Sequence, residues 1–168
     1  ALVELWILKS LAVKPGFKPG FSQLYPFTPG QLLGALRVPK GAEYTDFRGQ
    51  QISAGTYTLR YGLQPEDGNH LGTSETADFI LALPAKLDTR SATIEDFDKL
   101  AEHSGKAAGS THPAIFSLLD PADADGIPAL QQDDSTDHWV LTFTCKGLAK
   151  AEKSDVKVRL VVVGQSEG

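Results

Sequence analysis

The sequence predicts a mainly β protein: an antiparallel β-sandwich of about six to seven strands, with a two-helix insertion near 93–119. Three observations carry that expectation. Thr56–Tyr61 alternates with period two, placing Tyr57, Leu59 and Tyr61 on one face and Thr56, Thr58 and Arg60 on the other. Short apolar runs at Leu2–Leu8, Asp78–Leu83 and Val156–Val163 are bounded by glycine, proline or polar residues. Strand and helix patterns do not alternate along the chain, which argues against a doubly wound parallel sheet.

The elements follow in order. Leu2–Leu8 reads as a mostly buried strand. Val13–Gly30 is punctuated by Pro15-Gly16, Pro19-Gly20 and Pro29-Gly30, each a turn signal. Phe17, Phe21, Tyr25 and Phe27 lie between those turns, either as anchors pinning the loop to the domain or as an aromatic ligand-binding rim. Gln31–Val38 is a strand ended by Pro39, and Tyr44–Arg48 a short extended piece. Asp78–Leu83 ends at Pro84. A helix capped by Thr93 should carry the stripe Ile94, Phe97 and Leu100-Ala101 and stop at Gly105 or Gly109. A second, short helix is expected over Pro113–Leu119, with Pro113 in its first turn. Asp120–Asp137 reads as an acidic loop, and His138–Cys145 and Val156–Val163 as strands joined by a hairpin.

Composition narrows the class. The chain of 168 residues is 41% hydrophobic and 22% charged, values of a single globular domain spanning 1–168. A formal net charge of −5 with scattered lysines and arginines argues against nucleic acid as a partner. No apolar run is long enough for a transmembrane segment. With one cysteine, Cys145, the chain can form neither an intrachain disulfide nor a cysteine-based zinc site. No P-loop, dinucleotide fingerprint, H-E-x-x-H or C-x-x-C is present.

Function is expected first in the polar loop between the strands Thr56–Tyr61 and Asp78–Leu83. There Asp67, Asn69 and His70 offer ligand or metal groups, with Glu75 or Asp78 as a further carboxylate; a divalent metal is possible but no cofactor is predicted. The same residues also suit Asx turns, with Gly68 and Gly72 supplying positive φ. A second candidate is Asp120, Asp123 and Asp125, which resemble the front of a calcium loop. Pro121 stands where its first aspartate belongs and Gln132 where its last glutamate belongs, so a solvated acidic turn is the competing reading. His112 is a further ligand or metal candidate to set with Asp67 and His70, although beside Ser110 and Pro113 it caps a helix start more readily than it builds a triad.

The stretches Gly55–Gly62, Gln64-Pro65, Asp67–His70 and Gly72-Thr73 form the motif AGxYTLRYGxQPxDGNHxGT. Together with Asp78-Phe79, Lys106–Ser110, His112–Ala114 and Leu160–Gly164, the chain resembles a family of uncharacterised secreted bacterial β-sandwich proteins. Members carry a signal peptide and a further segment ahead of the strand corresponding to Leu2–Leu8, so the resemblance implies a secreted or periplasmic location. It places His70 and His112 inside recurrent motifs and supplies no catalytic residue. The expectation is a non-enzymatic module for binding or extracellular assembly. The alternatives are a filament subunit that donates its terminal strand, or a metal-dependent enzyme built on the 64–77 loop. Self-association through a terminal or edge strand belongs to the assembly reading.

Overall fold

A computed structural model describes residues 2–64 and 76–166. Nine strands run among them: β1 (Glu4–Ile7), β2 (Ser10–Ala12), β3 (Leu32–Val38), β4 (Gly55–Leu63), β5 (Asp78–Pro84), β6 (Ile115–Ser117), β7 (Ala129–Asp133), β8 (His138–Ala149) and β9 (Glu152–Val163). One α-helix, α1 (Phe97–Ala108), lies between β5 and β6, and short 3-10 turns cover Ala85–Leu87 and Pro121–Asp123. The protein is mainly β, as its sequence predicts.

The strands form two sheets. The first has the order β1-β3-β4-β5-β6 and is antiparallel throughout. In the second, β8 pairs with β9 along its length, with β7 at its start and with β2, in parallel, at its end. The chain thus places β1 on one sheet and β2 on the other within nine residues. At the far side, Leu118 bridges to Leu160 of β9, and the Leu119 N–H donates to the Arg159 carbonyl at 2.9 Å.

One buried cluster draws on both sheets: Leu36, Tyr57, Leu59, Tyr61, Ile80 and Phe116 from the first, and Cys145, Val156, Val158 and Leu160 from the second. The period-two faces of β4 and β9 therefore point their apolar sides toward each other. Strand β5 is buried at every position because it is covered twice. Ile80 and Ala82 face the shared core, while Phe79, Leu81 and Leu83 pack against Leu100 of α1. That double coverage explains why DFILALP reads as a continuous apolar run.

Several expectations need correction. The second helix over Pro113–Leu119 is absent; Ile115–Ser117 is strand β6, paired antiparallel with Phe79–Leu81. The two-helix insertion is thus one helix and a sheet edge, because long-range pairing and burial of Phe116 outweigh the local proline signal. The strand count exceeds six or seven, since β2, β6 and β7 have only three to five residues and no clear period. Helix α1 begins at Phe97, with Asp96 as its cap accepting the Lys99 N–H, not at Thr93. Gly105 lies inside the helix, where a Cβ would stand 2.5 Å from the Ser110 carbonyl oxygen. Gly109, left-handed at φ 62°, ends it. Among the described residues no helix is long and apolar enough to cross a membrane.

Candidate functional site

Among the described residues, a groove of about 880 Å³ is walled by three segments: Val13–Pro26, Asp120–Gly126 and the β8–β9 hairpin. Each wall is fixed by its own sequence. In the first, Gly16 takes φ 65° at the Pro15-Gly16 turn. The Gly20 N–H donates to the Gln23 carbonyl at 2.9 Å and the Gln23 N–H returns to Gly20 at 3.1 Å, closing a tight turn. The Gln23 side chain then donates to the carbonyls of Tyr25 (2.7 Å) and Phe27 (2.6 Å) and accepts from Lys14 Nζ at 2.7 Å.

The base of this wall is anchored in the core. Tyr25 and Phe27 are buried and stacked with centroids 6.0 Å apart, and Phe27 meets Tyr61 edge to face at 5.6 Å. The Tyr25 hydroxyl donates to the Leu119 carbonyl at 2.7 Å and accepts the Arg159 N–H at 3.1 Å. The carboxylate of Asp78, fully buried, accepts the N–H groups of Leu24 (2.9 Å) and Tyr25 (3.1 Å) and the Tyr61 hydroxyl. Burial raises the Asp78 pKa; the hydrogen bonds from Tyr61, Leu24 and Tyr25 offset part of that rise. Burial likewise raises Tyr25 and Tyr61, the second also through its bond to Asp78. Asp78 thus ties the described stem of the 64–77 loop to the groove wall. The aromatics of 13–30 divide between the two readings: Tyr25 and Phe27 pin the loop, Phe17 lines the groove half-buried, and Phe21 is fully exposed.

The second wall carries the calcium-like aspartates, each already engaged. Asp120 Oδ1 accepts the Ala122 N–H at 2.8 Å, and Asp125 Oδ1 accepts the Ile127 N–H at 3.0 Å. Asp123 pairs with Arg159 Nη1 at 3.1 Å. Those bonds make turns, and among the described residues no group of three or more His, Cys, Asp or Glu could hold a metal ion. The third wall is the β8–β9 hairpin, whose last pair is Ala149–Glu152 and whose turn residue Lys150 takes φ 55°. The groove floor is apolar, with Val13, Pro15, Phe17, Leu24, Pro26 and Val156. Its rim offers Lys14, Lys153 and Lys157 against Asp120, Glu152 and Asp155. Lys157 Nζ donates to the Ala124 carbonyl at 2.7 Å, and Asp155 pairs with Lys146 at 2.6 Å. Such a surface can hold a ligand by apolar contact and charge complementarity.

Of the other predicted residues, those that are described lie away from the groove. Asp67, Asn69 and His70 lie outside the described residues. His112 is exposed in the turn ahead of β6, its N–H donating to Ser110 Oγ at 3.0 Å. Cys145 sits in the core, where burial pushes its thiol up to about 11. The groove was not legible beforehand, because its floor comes from stretches more than a hundred residues apart. The one sequence signal for it is the spacing of aromatics among Pro-Gly turns in 15–30. No family model, curated protein or solved structure matches the chain.

Proposed function

We propose that the protein is an exported β-sandwich binding module that takes an extended peptide segment along the groove between Val13–Pro26 and the β8–β9 hairpin. The observation that carries this reading is the groove itself: an apolar floor with a rim of both charge signs, on walls held by buried hydrogen bonds. A walled site of this kind binds without reorganising, which lowers the cost of association. Export rests on the sequence resemblance described above. The test is an isotope-labelled sample titrated with a mixture of extended peptides and followed by two-dimensional NMR. Amide shifts confined to 13–26 and 152–157, lost on Phe17→Ala, support the reading. Shifts elsewhere, or none with any peptide, would overturn it.

A second reading, self-association, is favoured by the edge strand β1. Leu2, Trp6 and Leu8 point the same way from it and are 44%, 52% and 43% exposed. An unprotected apolar edge invites pairing with another chain. Because β1 already pairs with β3 of its own chain, edge-to-edge contact is the simpler form of it; a donated-strand filament requires β1 to leave that register. Light scattering of the wild type and Trp6→Ser decides: a dimer or polymer dispersed by the substitution supports the reading, and a monomer at all concentrations rejects it.

A further inference from the structure

We propose that the hairpin carrying Phe21 is an aromatic, cationic foot that docks the protein on an anionic lipid bilayer. Phe21 is 107% exposed, more open than any other large apolar side chain among the described residues. That exposure is built, not frayed. Phe21 and Ser22 form the tip of a two-residue turn closed by reciprocal Gly20 and Gln23 backbone bonds of 2.9 and 3.1 Å. The Gln23 side chain ties the turn down to Lys14, Tyr25 and Phe27, and the last two rings are buried. A lone exposed apolar side chain is ordinary on a protein surface. What sets Phe21 apart is the closed turn that fixes it at a tip, where it can enter an apolar phase with little loss of chain freedom.

Charge identifies what it meets. The formal net charge is −5, yet between Glu4 and Glu43 the chain carries Lys9, Lys14, Lys18, Arg37 and Lys40 and no aspartate or glutamate; Arg37 is paired with Glu4 at 3.1 Å, which leaves the four lysines. Lys14 and Lys18 precede the tip in sequence. Across the groove the β8–β9 hairpin adds Lys150 at its turn and Lys153, while its Asp155 is already paired with Lys146 at 2.6 Å. Asp120 and Glu152 are the acidic groups that remain on that rim. A protein partner would have to supply a shaped apolar cup for a lone ring. A bilayer needs no shape: the ring enters the interfacial layer and dispersed lysines face the headgroup phosphates. One ring with a few lysines gives weak, reversible attachment. This inference does not depend on the groove binding a peptide.

The test is co-sedimentation of the full chain with phosphatidylcholine vesicles, with and without phosphatidylglycerol, at low and high salt. The expected result is binding that needs phosphatidylglycerol and is released by salt. Phe21→Ala should lower the partition coefficient about tenfold, and Lys18→Glu severalfold. Both sites are exposed, so an unchanged melting curve will show that the variants fold. Leu130→Ser, on β7, removes another exposed apolar side chain away from the tip and should leave binding unchanged. Absence of lipid-dependent sedimentation, binding untouched by Phe21→Ala, or binding abolished by Leu130→Ser would overturn the proposal.

Discussion

Arg60 and Asp88 close a two-point ion pair on the helix-covered side of the first sheet, with Nε–Oδ2 at 2.6 Å and Nη2–Oδ1 at 2.7 Å. Both residues are buried. The other guanidinium hydrogens donate to the carbonyls of Gly30 (2.7 Å), Ala92 (2.9 Å) and Arg90 (2.6 Å). Every donor of the fork is engaged, so Arg60 is the post on which the segment from Asp88 to Ala92 is hung over β4. Replacing it leaves the buried Asp88 carboxylate uncompensated in charge, with the Thr58 hydroxyl as its remaining donor, and takes the guanidinium from the carbonyls of Gly30, Arg90 and Ala92, of which Gly30 keeps the Ile94 N–H at 3.2 Å. Arg60→Met should cost about 3–5 kcal/mol in urea denaturation. Arg60→Met combined with Asp88→Leu should cost less than the two single changes summed, because the stranded charge is gone.

The buried carboxyls should give the protein opposing responses to pH. Burial works to raise the Asp88 pKa, but hydrogen bonds from Arg60 and Thr58 and the charge of Arg60 outweigh it and hold the group below its usual value. Its stabilising contribution is present above the unfolded-state pKa of about 3.9 and is lost as pH falls through the folded value. Asp78 and Asp46 are raised by burial against their hydrogen bonds. They hold their protons more tightly when folded, so their contribution falls as pH rises from about 3.9 through the folded values. Thermal melts across pH should therefore show Asp88→Asn reducing the acid-side loss and Asp78→Asn reducing the loss on the way to neutrality. A parallel shift of the whole curve in either variant would contradict the assignment.

How much of this was legible in the sequence depends on where each element finds its partner. Strands β3, β4, β5 and β9 show in the sequence because their own residues carry the pattern: alternation in Thr56–Tyr61, a stop at Pro39 and an apolar run ending at Pro84. Strands β8 and β9 run further than their apolar portions, to Ala149 and from Glu152, because cross-strand pairs such as Lys146–Asp155 extend the hairpin into solvent. Strand β6 is hidden in the sequence because Pro113 favours a helix start locally, whereas its pairing partners Phe79–Leu81 lie 34 to 38 residues away (Leu81↔Ile115, Phe79↔Ser117). The alternation of Thr56–Tyr61 separates Arg60 from Tyr57, Leu59 and Tyr61, and it is the face of those three that enters the shared core. The burial of Arg60 depends on Asp88 and the carbonyls of Gly30, Arg90 and Ala92, and nothing in a strand pattern announces those partners.

Cys145 should behave as a core residue. Its Sγ lies 3.6 Å from the Val156 carbonyl, and burial pushes the thiol up to about 11. A buried, protonated thiol is a poor nucleophile. A thiol reagent at mildly alkaline pH should leave the native protein unmodified and label it fully in denaturant. Rapid labelling of the native state would mean that the core around β8 and β9 opens far more often than its packing implies.

Gly34 decides whether β1 can stay on its sheet. It pairs with Ile7 on one side and Leu59 on the other, and a Cβ there would stand 2.0 Å from the Trp6 carbonyl oxygen and 3.1 Å from Ile7 Cα. Backbone cannot yield that distance without moving the strand, so Gly34→Ala should displace β1 from β3 at a cost of about 1–3 kcal/mol. Hydrogen exchange is the measurement: amides of Glu4–Ile7 should lose protection while those of β4 and β5 keep theirs. Loss of protection across the whole first sheet would mean that β1 is integral to its folding. The same variant bears on assembly. Freeing β1 bares the edge of β3 and releases Val3, Leu5 and Ile7, which pack against the core at its rim, so Gly34→Ala should associate more than the wild type in light scattering. If it stays as dispersed as the wild type, the β1 edge is not what governs contact between copies.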